Sequence, residues 1–234
     1  MRRRPVAPRV LNGLLVAVIG TCFVVQIAVI LAGGVDANSG QATETVATGE
    51  RFRRMFSYFT IQSNVLLLAS SATLALRPDR DGPVWRVLRL DAMLGIVITG
   101  LVFALVLSPD VELSGLGLWL TIGFHYAAPW IALAGWMMFG PRPRITATTV
   151  VRALEWPVAW VVYTFVQGEI TGWYPYPFLD VDVVGYPAAL RSVGVVLALG
   201  VLLALLLAYL DRRLPARPGG SDQGRVPRGQ EVRP

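Results

Sequence analysis

Six stretches of this chain are apolar enough and long enough to cross a membrane, which leaves little room for any other architecture. They run approximately over 10–31, 56–76, 87–107, 116–139, 150–168 and 188–210. A spanning helix needs about 20 mostly apolar residues, and each stretch comes near that length. The fifth is the weakest, because Glu155 and Pro157 interrupt it. Neighbouring helices can re-satisfy a carbonyl freed by proline, so the interruption alone does not remove a span. With 54% hydrophobic residues, 15% charged residues and a mean hydropathy of +0.56, the chain is too apolar for a soluble domain. The expected fold is all-α: a polytopic six-transmembrane-helix bundle. It divides into a basic N-terminus (1–9), the bundle (10–210) and a disordered tail (211–234) rich in Pro, Gly and Arg. No internal repeat supports an inverted-repeat transporter fold.

Arginine alone carries the positive charge, since the chain has no lysine. On alternating sides of a six-span map, one side collects Arg2, Arg3, Arg4, Arg9, Arg77, Arg80, Arg86, Arg89, Arg142, Arg144, Arg152 and the arginines of the tail. The other side holds only Arg51, Arg53, Arg54 and Arg191. The positive-inside rule therefore predicts a multi-pass protein of the cell membrane with both termini cytoplasmic. The net charge of +6 belongs beside anionic lipid and does not indicate nucleic-acid binding. The first apolar run is too long for a signal peptide and lacks a small-x-small cleavage site. A single cysteine, Cys22, allows no intramolecular disulfide and no Cys-rich metal site, so it reads as packing.

Two polar features lie inside these apolar runs. His125, the only histidine, is in the fourth. An ionisable ring at membrane depth is costly and marks a candidate functional site. The cluster Thr60-Ile61-Gln62-Ser63-Asn64 is in the second. At 100° per residue Ser57, Thr60, Ser63, Asn64, Leu67 and Ser71 share one helical side, which should face the bundle interior. Thr121, His125, Ala128 and Pro129 share one side of the fourth span. At 1.5 Å per residue Thr60 and His125 sit roughly 6 Å and 13 Å along their helices from the same end, within reach of each other. Two readings stay open. Ser, Thr and Asn commonly bond helix to helix, and His125 can be a neutral core residue. Alternatively, imidazole is the usual base that activates a weak hydroxyl nucleophile, and the Asn64 amide could serve an oxyanion, with Ser63 in support. No metal or organic cofactor is called for, and one histidine cannot supply a bis-histidine haem.

The segment Gly172-Trp173-Tyr174-Pro175-Tyr176-Pro177-Phe178-Leu179-Asp180 interleaves aromatics with prolines. It suits a headgroup-level anchor or a lid in which Tyr174 and Tyr176 cover the site and Asp180 orients a histidine. Glu155 has Arg152 three residues earlier, a ready ion-pair partner on the same helical side.

At Thr60–Asn64, at His125 followed by Pro129, and at Tyr174 to Asp180, the chain resembles the bacterial six-span relatives of the androgen-induced proteins and the androgen-dependent TFPI-regulating protein of animals. The animal proteins are intramembrane threonine hydrolases that cleave fatty acid esters of hydroxy fatty acids. The resemblance implies Thr60 as nucleophile and His125 as base. The aromatic–proline loop belongs to the bacterial branch alone. The expected function is thus an integral membrane hydrolase of fatty-acyl esters whose partners are membrane lipids and a lipid substrate. The alternatives are a non-catalytic lipid-binding scaffold and a small transporter using His125 and Glu155. The sequence leaves the substrate and the oligomeric state unspecified.

Overall fold

The structure, a computed structural model, describes residues 6–34, 45–110 and 114–215. Among them there is no strand, and the chain is an all-α membrane helical bundle. In chain order the helices are α1 (Val6–Leu31), α2 (Thr48–Ser57), α3 (Phe59–Leu76), α4 (Pro83–Val102), α5 (Gly115–Thr121), α6 (Ala128–Phe139), α7 (Ala147–Ala153), α8 (Glu155–Thr171), α9 (Val181–Val184) and α10 (Tyr186–Arg213). Two π-helical segments continue them, Phe103–Leu107 after α4 and Ile122–Ala127 between α5 and α6. Five elements are long and apolar enough to cross a membrane: Val6–Leu31, Phe59–Leu76, Pro83–Leu107, Gly115–Phe139 and Tyr186–Arg213.

The fifth apolar stretch differs from expectation. It is no single helix but breaks at Leu154 into α7 and the 17-residue α8. The break suits both interrupting residues. It puts Glu155 at the positive end of a new helix and Pro157 in the first turn, where a missing N–H costs nothing. The same break separates Arg152 from Glu155, and no ion pair joins them among the described residues.

The second stretch also begins differently. Tyr58 is extended (φ −68°, ψ 130°) and divides the charged α2 from the membrane helix α3, so the span starts at Phe59. The arginines of α2 are tied to protein groups. Arg53 and Arg54 pair with Glu50 (2.5 and 2.7 Å) and lie over the Trp173 ring, and Arg51 donates to the carbonyls of Val46 and Ile30. This pairing explains a basic cluster on the arginine-poor side.

Residues 211–213 fall in the helix and not in the expected tail. Asp211 is buried and accepts the backbone N–H groups of Arg144 and Ile145 at 2.5 and 2.7 Å, which holds the last turn of α10 to the α6–α7 connection. The tail from 216 and residues 1–5 lie outside the described residues.

The bundle centre forms where α4 packs against α3, α6 and α7, and α1 covers α3 and α6. Glycine permits the closest approaches. A Cβ at Gly95 would lie 2.7 Å from Ser63 Oγ, and one at Gly123 would collide with Cys22 Sγ. Cys22 is therefore a packing residue against the π segment of the histidine.

Candidate active site

Thr60 is the second residue of α3, two places after the extended Tyr58. The first N–H groups of a helix have no intrahelical acceptor. In α3 the regular ladder resumes with Gln62, whose N–H reaches the Tyr58 carbonyl at 3.2 Å. The backbone N–H of Thr60 instead donates to the Tyr176 hydroxyl at 3.3 Å, and the Thr60 hydroxyl lies 3.3 Å from the same oxygen. Thr60 thus sits at the positive end of a membrane helix, with its hydroxyl and N–H facing one tyrosine.

His125 approaches from the π segment. Its Nε2 is 3.4 Å from Thr60 Oγ1, at the long end of hydrogen-bond reach, and its Nδ1 is 3.2 Å from the Thr121 carbonyl. A carbonyl only accepts, so Nδ1 carries the proton and Nε2 presents its lone pair to the threonine. Both side chains are almost fully buried, at 1% exposure for His125 and 3% for Thr60. Phe103, the first residue of the other π segment, stacks on the imidazole (3.9 Å between centroids, 29°) and fixes its plane.

The local sequence explains this posture. Pro129 has no N–H for the His125 carbonyl four residues before it, and that loss favours the widened π turn. Gly100 lets α4 pass close to the result, since a Cβ there would be 3.0 Å from Pro129 Cβ and 3.2 Å from the His125 carbonyl.

Asn64 does not offer its amide to the site. Its Nδ2 donates to the Thr60 carbonyl (2.9 Å) and the Phe124 carbonyl (3.4 Å), pinning α3 to the π segment. Ser63 Oγ bonds the Phe59 carbonyl at 2.7 Å and faces Gly95. Asn64 thus ties α3 to the π segment, whereas Ser63 bonds within its own helix and only packs against α4. Asp180 caps α9 by accepting from the Asp182 N–H (3.1 Å), so it orients no histidine; the Thr121 carbonyl does that. Tyr174 packs on Gly168 and the Phe165 ring, away from Thr60. Tyr176 alone of the loop aromatics reaches the threonine, braced by Tyr58, Trp160 and Phe178.

Thr60 and Tyr176 line a partly open cavity between α3, α4, α8 and α10, about 850 Å³ with the space at its mouth included. Its walls are almost entirely apolar, with Phe178 and Leu179 at the loop and Val196 and Gly200 from α10. Two further polar groups face it, Thr99 and Asp91, and the buried Thr99 Oγ1 and Asp91 Oδ1 have no hydrogen-bond partner among the described residues. Sequence reasoning passed over both. Asp91 could have been found as a lone carboxylate in an apolar run; a threonine such as Thr99 gives no signal of its own.

The fold and this site define an α-helical integral membrane protein with a hydroxyl–imidazole pair at the wall of an apolar cavity. Comparison with protein-family profiles, with characterised proteins and with solved structures finds no match to the chain.

Proposed function

We propose that this protein is an intramembrane ester hydrolase in which Thr60 attacks a fatty-acyl ester and His125 is the base. The observation that carries the reading is the Thr60 Oγ1–His125 Nε2 contact of 3.4 Å, joining residues 65 positions apart, with Nδ1 held by the Thr121 carbonyl. Catalytic hydrogen bonds are often long before substrate binds and tighten in the complex. The sequence resemblance to intramembrane threonine hydrolases assigns the same two residues.

In the proposed reaction Thr60 Oγ bonds to the ester carbonyl carbon as its proton passes to His125 Nε2. The carbonyl oxygen becomes an oxyanion beside the unladdered N–H groups at the start of α3, and the Tyr176 hydroxyl donates to it. The tetrahedral intermediate breaks its bond to the alcohol oxygen, which takes the proton from His125. Water then attacks the acyl-Thr60 ester by the same steps, releasing the fatty acid. The acyl chain occupies the apolar cavity, whose lining of Leu94, Ile98, Val161 and Val196 suits a lipid chain.

In this reading the arginine bias places both termini in the cytoplasm of a cell-membrane protein and the site toward the opposite leaflet. The aromatic–proline segment is the lid. The test is hydrolysis of long-chain acyl esters by purified protein in nanodiscs, with Thr60→Ala as control. Equal turnover by both would refute the assignment. A folded wild type inactive on a broad ester panel would favour the lipid-binding scaffold.

A further inference from the structure

At the other end of the bundle a second, partly open pocket lies between α3, α4, α6 and α10, about 470 Å³ with the space at its mouth included. Leu74, Leu90, Met93 and Leu207 form its apolar floor, and Arg86, Arg89, Arg144 and Asp211 its charged rim. Two of these arginines are already engaged. Arg86 forms two 2.8 Å bonds to Asp81; Arg144 lies 3.5 Å from Asp81 and donates to the Arg80 carbonyl. Arg89 and Asp211 differ. Arg89 gives one Nη to Ser70 at 3.1 Å, but its Nε is shielded from solvent and has no partner among the described residues. Asp211 is 1% exposed; its Oδ2 holds the Arg144 and Ile145 N–H groups while its Oδ1 has no partner among the described residues. No ion pair joins Arg89 to Asp211 among the described residues.

A buried donor and a buried acceptor of opposite charge, in one pocket and not paired with each other, each incur a desolvation cost. A single ligand that carries both an anionic acceptor and a cationic N–H donor matches the two groups in charge as well as in hydrogen bonding. We infer that this pocket binds the headgroup of a zwitterionic phospholipid with a primary ammonium, phosphatidylethanolamine in chemical class. The phosphate oxygens face Arg89, with Arg86 and Arg144 beside them, and the ammonium donates to Asp211 Oδ1. A quaternary ammonium such as choline has no N–H to donate there. The apolar floor and the position at the ends of membrane-spanning helices select a lipid over a soluble phosphoamine.

The test is native mass spectrometry and thermal unfolding of the purified full-length protein with phosphatidylethanolamine, phosphatidylcholine, phosphatidylglycerol or soluble phosphoethanolamine. The ethanolamine lipid should be retained about tenfold better than the choline or glycerol lipid, the order of one buried charge-assisted hydrogen bond. Soluble phosphoethanolamine should bind far more weakly. Asp211→Asn keeps an oxygen for the two backbone N–H groups, and should erase or reverse the preference over phosphatidylglycerol. Arg89→Gln should weaken all the phospholipids. Equal retention of the three lipids by the wild type, or a preference that survives Asp211→Asn, overturns the inference. Should Asp211→Asn fail to fold, the wild-type lipid series and Arg89→Gln still decide it. Better binding of the soluble headgroup than of the lipid contradicts it too. None of these readouts depends on ester hydrolysis.

Discussion

The Tyr176 hydroxyl lies 3.3 Å from both the backbone nitrogen and the side-chain oxygen of Thr60, across 116 residues of sequence. One phenol thus faces the oxygen of the proposed nucleophile and the N–H group that, in that proposal, would meet an oxyanion. Tyr176→Phe keeps the ring packing on Tyr58 and Phe178 and removes only this hydroxyl. We expect kcat to fall by about 10²-fold, the scale for one oxyanion donor, with a stability loss of only about 1 kcal/mol from the Thr60 N–H that loses its acceptor. Unchanged kcat would remove Tyr176 from the chemistry.

His125→Gln separates the two readings of the histidine. A base contributes roughly 10²–10⁴-fold, so the folded variant should lose at least that much ester turnover. A purely structural histidine would instead show its loss in yield and melting temperature while the surviving protein stayed active.

Asn64→Ala should act in the opposite sense to Tyr176→Phe. Both of its donor bonds tie backbone carbonyls, so stability should fall by about 1–3 kcal/mol. In denaturant titrations the midpoint should move strongly. Selective loss of kcat without loss of stability would return Asn64 to the oxyanion role.

Much of the bundle was legible from apolar length alone, because hydrocarbon permits few structures. The polar side of α3 was also legible: Thr60, Ser63, Asn64 and Ser71 are all buried, as their 100° spacing predicts, whereas Ser57, also buried, ends α2 across the break. The breaks at Tyr58 and Leu154 were not, since hydropathy averages over a break of one residue. At Leu154, however, Glu155 and Pro157 fit a helix start better than a helix interior. The Thr60–His125 pairing was legible as a shared depth. The atoms around it were not, because hydrogen bonds to backbone carbonyls decide them. Asn64 is turned from oxyanion donor to helix tie by the carbonyls of Thr60 and Phe124, and Asp180 from histidine partner to helix cap by one N–H. Pro129 after His125 was visible, but its π turn depends on what α4 presents at Gly100.

Gly100→Ala tests that dependence. The new methyl meets Pro129 and the His125 carbonyl at 3.0 and 3.2 Å, so α4 and the π segment must separate by a few tenths of an ångström. Overpacking of this kind costs about 1–3 kcal/mol, and turnover should fall with it because the imidazole moves from Thr60. Full activity at unchanged stability would show that the close approach does not position the histidine.

The α2 collar carries a pH signature. Glu50 is lowered from about 4.5 to about 2, chiefly by its hydrogen bond from Arg53. A depressed carboxyl stabilises the fold above its unfolded value, and that contribution is lost as pH falls through the window from about 4.5 to about 2. Wild-type melting temperature should therefore decline faster than that of Glu50→Gln across this window. Parallel declines would mean that the collar contributes nothing.

The most direct measurement of the central claim is peptide mapping after the protein reacts with a lipophilic fluorophosphonate. An activated hydroxyl should form a covalent adduct, and an unactivated packing threonine should not. The account predicts modification at Thr60, lost in Thr60→Ala, partly kept in Thr60→Ser and strongly reduced in His125→Gln. An adduct on another residue, or Thr60 labelling that persists at full rate without His125, would contradict it.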